Sequence, residues 1–246
     1  MRCWIITITA LGLLISRAFA KPMAKKMTWP KMAAIFVIAL AVVALVLFVP
    51  AGTLDYWQAW VFLAALFVPF FFVASYLMLA SPEFLERRMR TKEKEATQKT
   101  VVKLFSLLFF LGFLVPGLDR RYGWSHVPPE WSIAANVLMI ASYAFIFWVF
   151  RENVWAGRTV QVDKGQKVVS TGPYAIVRHP MYAGQIAMFM AIPIALGSWY
   201  ALPFFIAVES SLILRILNEE DVLRRELPGY KAYCKKTKYR LIPLVW

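Results

Sequence analysis

The sequence predicts an all-α membrane protein, a polytopic transmembrane bundle of about five or six helices in which the last two form an interrupted hairpin. Three observations lead to this fold class. Hydrophobic residues make up 60% of the 246 residues, and the mean hydropathy is positive at +0.58. Several apolar runs are long enough to cross a bilayer, and most basic residues lie between those runs. A water-soluble globular domain of this length rarely has such a composition.

Three segments have the length and composition of transmembrane helices. A hydrocarbon core of about 30 Å requires about 20 apolar residues in a helix. Residues 32–49, 57–80 and 131–150 meet this requirement, and residues 104–118 form a shorter run that we also assign to a membrane helix. These four segments account for the first part of the bundle.

Residues 185–217 form the last apolar stretch and are interrupted twice. Pro193 and the sequence Gly-Ser-Trp at 197–199 break the run, and both are signals for a helix end or a turn. We therefore predict a helical hairpin whose first arm is too short to cross the bilayer completely.

The amino-terminal residues 1–22 allow three interpretations. Their apolar run ends in Ala18-Phe19-Ala20, which resembles a secretory signal with a small-residue cleavage site. An extra helix and a start codon placed too early, with Met23 or Met27 as the true start, remain open. The rest of the chain divides into transmembrane helices with a cytoplasmic loop over 23–150 and a carboxy-terminal catalytic region over 151–246.

The distribution of basic residues predicts the orientation. Lys and Arg number 28 against 14 acidic residues. The basic residues number four, seven, five and seven in the segments 21–31, 81–103, 151–183 and 218–246. The loops on the other side contain only Arg120 and Arg121. The positive-inside rule then places both termini and the long loops in the cytoplasm, with the charged stretch 86–99 as a solvated helical loop. Such an excess reflects topology, so we expect no nucleic-acid partner.

Metal and hydrolase chemistry have no support in the sequence. Cys3 and Cys234 are far apart, and the predicted cytoplasmic face holds a single histidine, His179, so neither a disulfide framework nor a metal site is expected. The motifs of nucleotide-binding loops, zinc proteases and serine hydrolases are absent from the sequence.

The first candidate site precedes the predicted hairpin, in the sequence GPYAIVRHPMYAG at 172–184. Pro180 is suited to the first position of a helix, and His179 before it is biased towards extended backbone. The unpaired amides of this helix start, together with Arg178, would form an anion site at the membrane interface. The alternative is that Arg178 and His179 only anchor the helix to lipid headgroups.

The second candidate site lies in residues 209–243. Arg215 and Glu219 are four residues apart and therefore share a face of a helix. They form either a simple ion pair or part of a site. Glu209 lies in the apolar run, where ionisable groups usually mark function, and Glu219 and Glu220 follow where the helix leaves the membrane.

Two motifs resemble the isoprenylcysteine carboxyl methyltransferase family of integral membrane enzymes. They are VVSTGPYAIVRHPMYAG and RILNEEDVLRRELPGYKAYCKKTKYRLIP, and the resemblance covers roughly the last hundred residues. It implies transfer of the methyl group of S-adenosylmethionine to a lipid-borne carboxylate, with the cofactor on the cytosolic side. It also implies a substrate-binding Arg215 and cofactor contacts at Gln161, Val168, Val169, Tyr174, His179, Pro180, Met181, Tyr182 and Glu219. Because the acidic run here is only NEED, Glu220 is an alternative to Glu219.

The chemistry of the cofactor agrees with these residue types. A sulfonium is a cation, for which the faces of Tyr174 and Tyr182 and the carboxylate of Glu219 are suitable partners. The cofactor's own carboxylate suits the helix start beside Arg178. A carboxylate acceptor is ionised near neutral pH and needs no general base, so Arg215 would only have to hold it in position. The lipid part is expected to enter sideways from the bilayer.

Three other functions remain open. The acceptor could be an amine headgroup, a phenol or a thiol instead of a carboxylate. NADPH-dependent membrane sterol reductases have a broadly similar carboxy-terminal region, and the cofactor that binds would distinguish the two classes. A non-catalytic scaffold or transporter is the third class, although we find no repeated half that would indicate a transporter.

Overall fold

The structure is a computed structural model that describes residues 28–81, 84–85, 96–156, 162 and 165–246, with side chains left out at 96–106. The described part of the chain contains six long α-helices, one short α-helix and one 3₁₀ turn at Gly172–Ala175. The predicted bundle of about five or six helices is confirmed. The helices are α1 (Trp29–Ala51), α2 (Trp57–Ala80), α3 (Ala96–Tyr122), α4 (Pro129–Glu152), α5 (Pro180–Ala195), α6 (Leu202–Glu226) and α7 (Tyr230–Lys236).

The helices α1, α2 and α4 are each long and apolar enough to cross a membrane. They coincide with the three unambiguous segments of the sequence, and the predicted run 104–118 lies within α3. Many of their large apolar side chains are exposed, including Val37, Val68 and Val137, as expected for residues that face lipid. The predicted segment 1–22 and residues 86–95 of the predicted charged loop lie outside the described residues.

One apolar core joins all six long helices. Its centre is a group of mutually packed rings from α3, α5 and α6, in which Phe109, Phe189 and Phe205 lie with their centroids 5.5–6.4 Å apart. The helices α4 and α5 make the most extensive contact of the bundle. Gly184 makes this approach possible, because a Cβ atom there would lie 2.8 Å from Ile146 Cγ1. Small residues commonly allow such close helix packing in membranes.

The carboxy-terminal hairpin forms as predicted. Its first arm, α5, has 16 residues and is therefore about 24 Å long, which is shorter than the hydrocarbon core. The turn between the arms contains Gly197 at φ 74° and the buried Ser198. Ser198 donates a hydrogen bond to Asp119 on α3, which fixes the turn against the bundle.

The two ends of the bundle differ in chemistry. Beside the hairpin turn, Trp131 packs edge-on against Trp199, and Trp124 packs against Tyr200, an arrangement typical of a membrane–water interface. The other end of α4 carries Glu152, which accepts a hydrogen bond of 2.9 Å from Thr171. The candidate site lies at this second end.

Candidate functional site

The loop before α5 is joined to the carboxy-terminal tail. Pro180 is the first residue of α5 and His179 its N-cap, as predicted. The backbone amides of Arg178 and His179 donate hydrogen bonds to the carbonyls of Tyr239 and Arg240, at 2.9 and 2.8 Å. Segments about 60 residues apart in the sequence therefore meet at the start of α5.

Glu220 on α6 is the charged centre of this junction. Its side chain is 2% exposed and accepts hydrogen bonds from Arg178 Nε at 2.6 Å, Arg240 Nε at 3.1 Å and Arg224 Nη2 at 3.2 Å. Burial acts to raise the pKa of Glu220, but the neighbouring His179 and Arg178 lower this pKa well below its usual range. Three guanidinium groups thus hold an ionised carboxylate in the interior.

Arg178 makes its side-chain hydrogen bonds within the same junction. Besides its bond to Glu220, its Nη1 donates to the carbonyls of Thr237 and Lys238 at 2.9 and 2.7 Å. The side chain is 5% exposed. Arg178 therefore holds the tail against α6, and its predicted contact with a cofactor carboxylate stays a prediction.

Tyr182 links α5 to the second candidate segment. Its hydroxyl donates to Glu219 Oε2 at 2.6 Å and accepts from Arg215 Nε at 2.9 Å. The prediction that Arg215 and Glu219 share one face of a helix is confirmed, since both contact the same hydroxyl. The ring of His179 stacks on that of Tyr182, with centroids 5.6 Å apart and an interplanar angle of 20°. The two candidate segments of the sequence therefore meet in one group of contacting side chains.

The short helix α7 contributes two tyrosines, Tyr230 and Tyr233, next to the loop before α5. Tyr233 donates its hydroxyl hydrogen to the carbonyl of Tyr174 at 2.7 Å, and the rings of Tyr230 and Tyr233 lie 5.7 Å apart. The buried hydroxyl of Tyr230 has no hydrogen-bond partner among the described residues. Burial raises the pKa of Tyr230, and the charges of Glu220 and Glu219 raise it further. Tyr230 thus stays a neutral hydroxyl that can serve a ligand near these carboxylates.

Two of the remaining predicted residues, Val168 and Met181, pack beside tyrosines of the site. Val168 is half-buried and packs against the apolar cluster formed by Leu227, Tyr230 and Tyr233. Val169 is also half-buried, and Met181 packs against the core beside Tyr182. Gln161 lies outside the described residues, so its contact stays a prediction.

Sequence reasoning missed four residues of this region. Arg224 lies four residues after Glu220 on α6, and that spacing could have identified it as a partner. No local pattern indicates Thr237 or Arg240, because only the folding of the tail places them beside Glu220. Gln185, about one helical turn after Tyr182, was also missed, because it lies within an apolar run.

A comparison with protein families identifies the segment that carries the site. Residues 131–228 match the phospholipid methyltransferase family. The matched segment runs from the first turn of α4 to the end of α6 and contains Tyr182, Arg215 and Glu219. It does not include α7 or the tail. This match and the three apolar helices support an integral membrane protein.

Curated relatives include sterol reductases that match about a third of the chain. The Delta(14)-sterol reductase TM7SF2 of Mus musculus is 29% identical over 91 residues, which are 36% of this chain and 22% of that protein. The probable 7-dehydrocholesterol reductase of Acanthamoeba polyphaga mimivirus is 30% identical over 88 residues, 35% of this chain and 20% of that protein. The Delta(14)-sterol reductase erg24 of Schizosaccharomyces pombe is 28% identical over 90 residues, 35% and 21% of the two chains. The match thus spans about a fifth of the length of these relatives.

A methyltransferase family related to the predicted one matches part of the chain. The matching family is that of phospholipid methyltransferases, a related group of integral membrane methyltransferases. Membership in the isoprenylcysteine carboxyl methyltransferase family stays a prediction, and the sterol reductases support the alternative of a reductase without favouring it.

Proposed function

We propose that this protein transfers the methyl group of S-adenosylmethionine to a lipophilic acceptor, with a lipid-borne carboxylate as the first acceptor to test. The observation that carries this proposal is the contact of Tyr182 with both Glu219 and Arg215 inside the segment that matches a methyltransferase family. A group that binds a cation and a group that binds an anion lie side by side there.

Glu219 is the better candidate for the cofactor side. The carboxylate of Glu220 already forms ion pairs with three arginines. Glu219 is half-buried and accepts a hydrogen bond from the neutral Tyr182 hydroxyl. A carboxylate beside an aromatic ring suits the sulfonium of S-adenosylmethionine, which supplies an electrophilic methyl group when bound. The hydroxyl of Tyr230, which has no hydrogen-bond partner within the described part of the chain, also fits a polar ligand near Glu219 and Glu220.

Arg215 is the candidate for the acceptor side. Its side chain is half-buried, and Tyr182 fixes the guanidinium through Nε. Exposed apolar residues, among them Ile213, Leu214 and Leu217, lie within one turn of Arg215 along α6. A lipid acceptor in the bilayer beside this helix would bring an ionised head to the level of Arg215, which would orient it by charge-assisted hydrogen bonds. An ionised carboxylate needs no proton removed, so positioning is the main task of the protein.

We further propose that this site faces the cytoplasm. The basic residues concentrate in the sequence segments 21–31, 81–103, 151–183 and 218–246, which the positive-inside rule assigns to the cytoplasm together with both termini, and Tyr182, Glu219 and Glu220 belong to the last two of these segments. The aromatic residues near the hairpin turn would then lie at the opposite interface.

A sterol-type reductase is the second candidate. Three sterol reductases share 28–30% identity with about a third of this chain. Such an enzyme would take a reduced nicotinamide dinucleotide in place of S-adenosylmethionine. The identity of the cofactor therefore separates the two functions.

Calorimetric titration of the purified protein with S-adenosylhomocysteine and, separately, with NADPH tests the proposal. We expect S-adenosylhomocysteine to bind and NADPH not to bind. Binding of NADPH alone would establish the reductase instead, and binding of neither would refute both. Transfer of a labelled methyl group to lipids of equal chain length with carboxylate, amine or thiol heads then identifies the acceptor.

A further inference from the structure

A buried polar pair lies deeper along the contact between α5 and α6 than the site described above. Gln185 Nε2 on α5 donates to Glu209 Oε1 on α6 at 3.3 Å. Gln185 is 2% exposed and Glu209 is 7% exposed. Their neighbours along the helices, Met188 and Val208, are buried core residues. A carboxyl group in such surroundings is costly and commonly marks a functional position.

The second oxygen of Glu209 is unsatisfied. Oε2 is buried and has no hydrogen-bond partner among the described residues. The adjacent hydroxyls do not serve it, because Ser210 donates to the carbonyl of Ala207 and Ser211 donates to that of Val208. A buried acceptor without a donor destabilises the protein, so this oxygen is suited to a donor that arrives with a ligand.

The Gln185–Glu209 pair lies on the same α5–α6 contact as the candidate site. Gln185 follows Tyr182 by three residues on α5, and Glu209 precedes Arg215 by six residues on α6, or about 9 Å along the helix axis. The α5–α6 contact thus carries successive polar groups, from Glu220 through Tyr182 to Glu209. Because these six residues also turn Glu209 about 120° around α6 from Arg215, a lipid with its head at Arg215 would reach Glu209 by passing between α5 and α6.

We propose that Glu209 and Gln185 bind an N–H or O–H donor of the lipophilic acceptor and so determine which acceptors are used. The proposal rests on the function proposed above. The donor is a recognition group, while the atom that receives the methyl group lies nearer Tyr182 and Arg215. Lipids that offer only ether or ester oxygens at this depth would leave Glu209 Oε2 unpaired and bind more weakly.

Binding of 1-dodecanol and dodecyl methyl ether tests this assignment, because the two compounds share an alkyl chain and only the alcohol donates a hydrogen bond. The protein is placed in nanodiscs of phosphatidylcholine, whose headgroup has no such donor. We expect the wild type to bind the alcohol at least about tenfold more tightly than the ether, because the ether leaves a buried acceptor without a donor. In Glu209→Leu, the ratio should fall to about one.

Two further variants complete the test. Ser210→Ala changes an exposed neighbour on the same helix and should keep the wild-type ratio. Glu209→Gln keeps the size of the side chain and a weaker acceptor, so the ratio should fall about fivefold, which provides a readout if Glu209→Leu does not fold. Equal binding of alcohol and ether by the wild type, or an unchanged ratio in the folded Glu209 variants, would overturn the assignment.

Affinity for S-adenosylhomocysteine separates this inference from the proposed function. We expect the Glu209 variants to bind S-adenosylhomocysteine as the wild type does. Normal cofactor binding without a preference for the alcohol would refute the inference alone. A wild-type protein that does not bind S-adenosylhomocysteine would refute the methyltransferase function, whatever the lipid result.

Discussion

Replacement of Glu220 by Gln should release the carboxy-terminal tail from the bundle. The substitution preserves the shape of the side chain but removes the charge that compensates three arginines. Of these, Arg178 is 5% exposed, whereas Arg240 is 28% and Arg224 is 42% exposed. Nearly all of the cost therefore arises from Arg178, whose guanidinium would be left buried without an anion. Breaking one side of a buried pair costs about 3–5 kcal/mol.

The lower value applies here, because two of the three partners reach water and Gln keeps a hydrogen-bond acceptor. A cost of about 3 kcal/mol corresponds to a roughly 100-fold increase in the population of the opened tail. Hydrogen exchange of the backbone amides measures this opening. The amides of Arg178 and His179, which donate to tail carbonyls, should exchange roughly 100-fold faster in Glu220→Gln.

Asp221→Asn is the matched control, since it removes the same charge from the next, exposed residue. Its exchange rates should equal those of the wild type, and α1 should remain protected in both variants. Similar exchange at Arg178 in Glu220→Gln and Asp221→Asn would show that the buried carboxylate does not hold the tail.

Acid should release the tail in the same way. The pKa of Glu220 is lowered in the folded protein, so its contribution to stability is complete above its unfolded pKa of about 4.3. That contribution decreases as the pH falls below this value and is lost once the pH has passed the folded pKa. The protection of the Arg178 amide, expressed relative to its intrinsic exchange rate at each pH, should therefore decrease below about pH 4 in the wild type, and Glu220→Gln should lack this acid-dependent step.

Two further predictions concern the site and its loop. Glu219→Gln should weaken S-adenosylmethionine binding by about tenfold through loss of the charge beside the sulfonium, with a smaller effect on S-adenosylhomocysteine, whose sulfur is neutral. Arg215→Ala should chiefly reduce turnover on a carboxylate acceptor; the reverse pattern in titrations and initial rates would exchange their roles. Gly172→Ala should lower stability in thermal unfolding by more than Gly123→Ala, because both glycines have positive φ but only at Gly172 would a Cβ lie 2.8 Å from Glu152 Cδ. Equal losses would show that the contact with Glu152 is unimportant.

The membrane helices and the start of α5 were predictable because their signals are local. A run of about 20 apolar residues is sufficient to indicate a span, and α1, α2 and α4 follow such runs. Pro180 lacks a backbone N–H and fits the first turn, so the helix begins at that residue. The spacing of Arg215 and Glu219 likewise predicted a shared helix face, which the contact with Tyr182 confirms.

The different environments of Glu219 and Glu220 were not predictable. Consecutive residues on a helix point about 100° apart, so one of the two must face the tail and the other must not. Sequence alone does not say which, because the answer depends on how the tail packs. In the structure, Glu220 faces Arg178 and Arg240, while Glu219 faces Tyr182.

The sequence by itself thus determined the helical bundle, the interrupted hairpin and the two segments that carry the candidate site, since each depends on hydropathy or on backbone chemistry within a few turns. Only the tertiary structure decided that Arg178 and Glu220 form the centre of a junction and that Gln185 meets Glu209. These contacts join residues 24 and 42 positions apart. They form because a buried charge or amide must find its partner wherever packing brings one, and no pattern within a single helix encodes that choice.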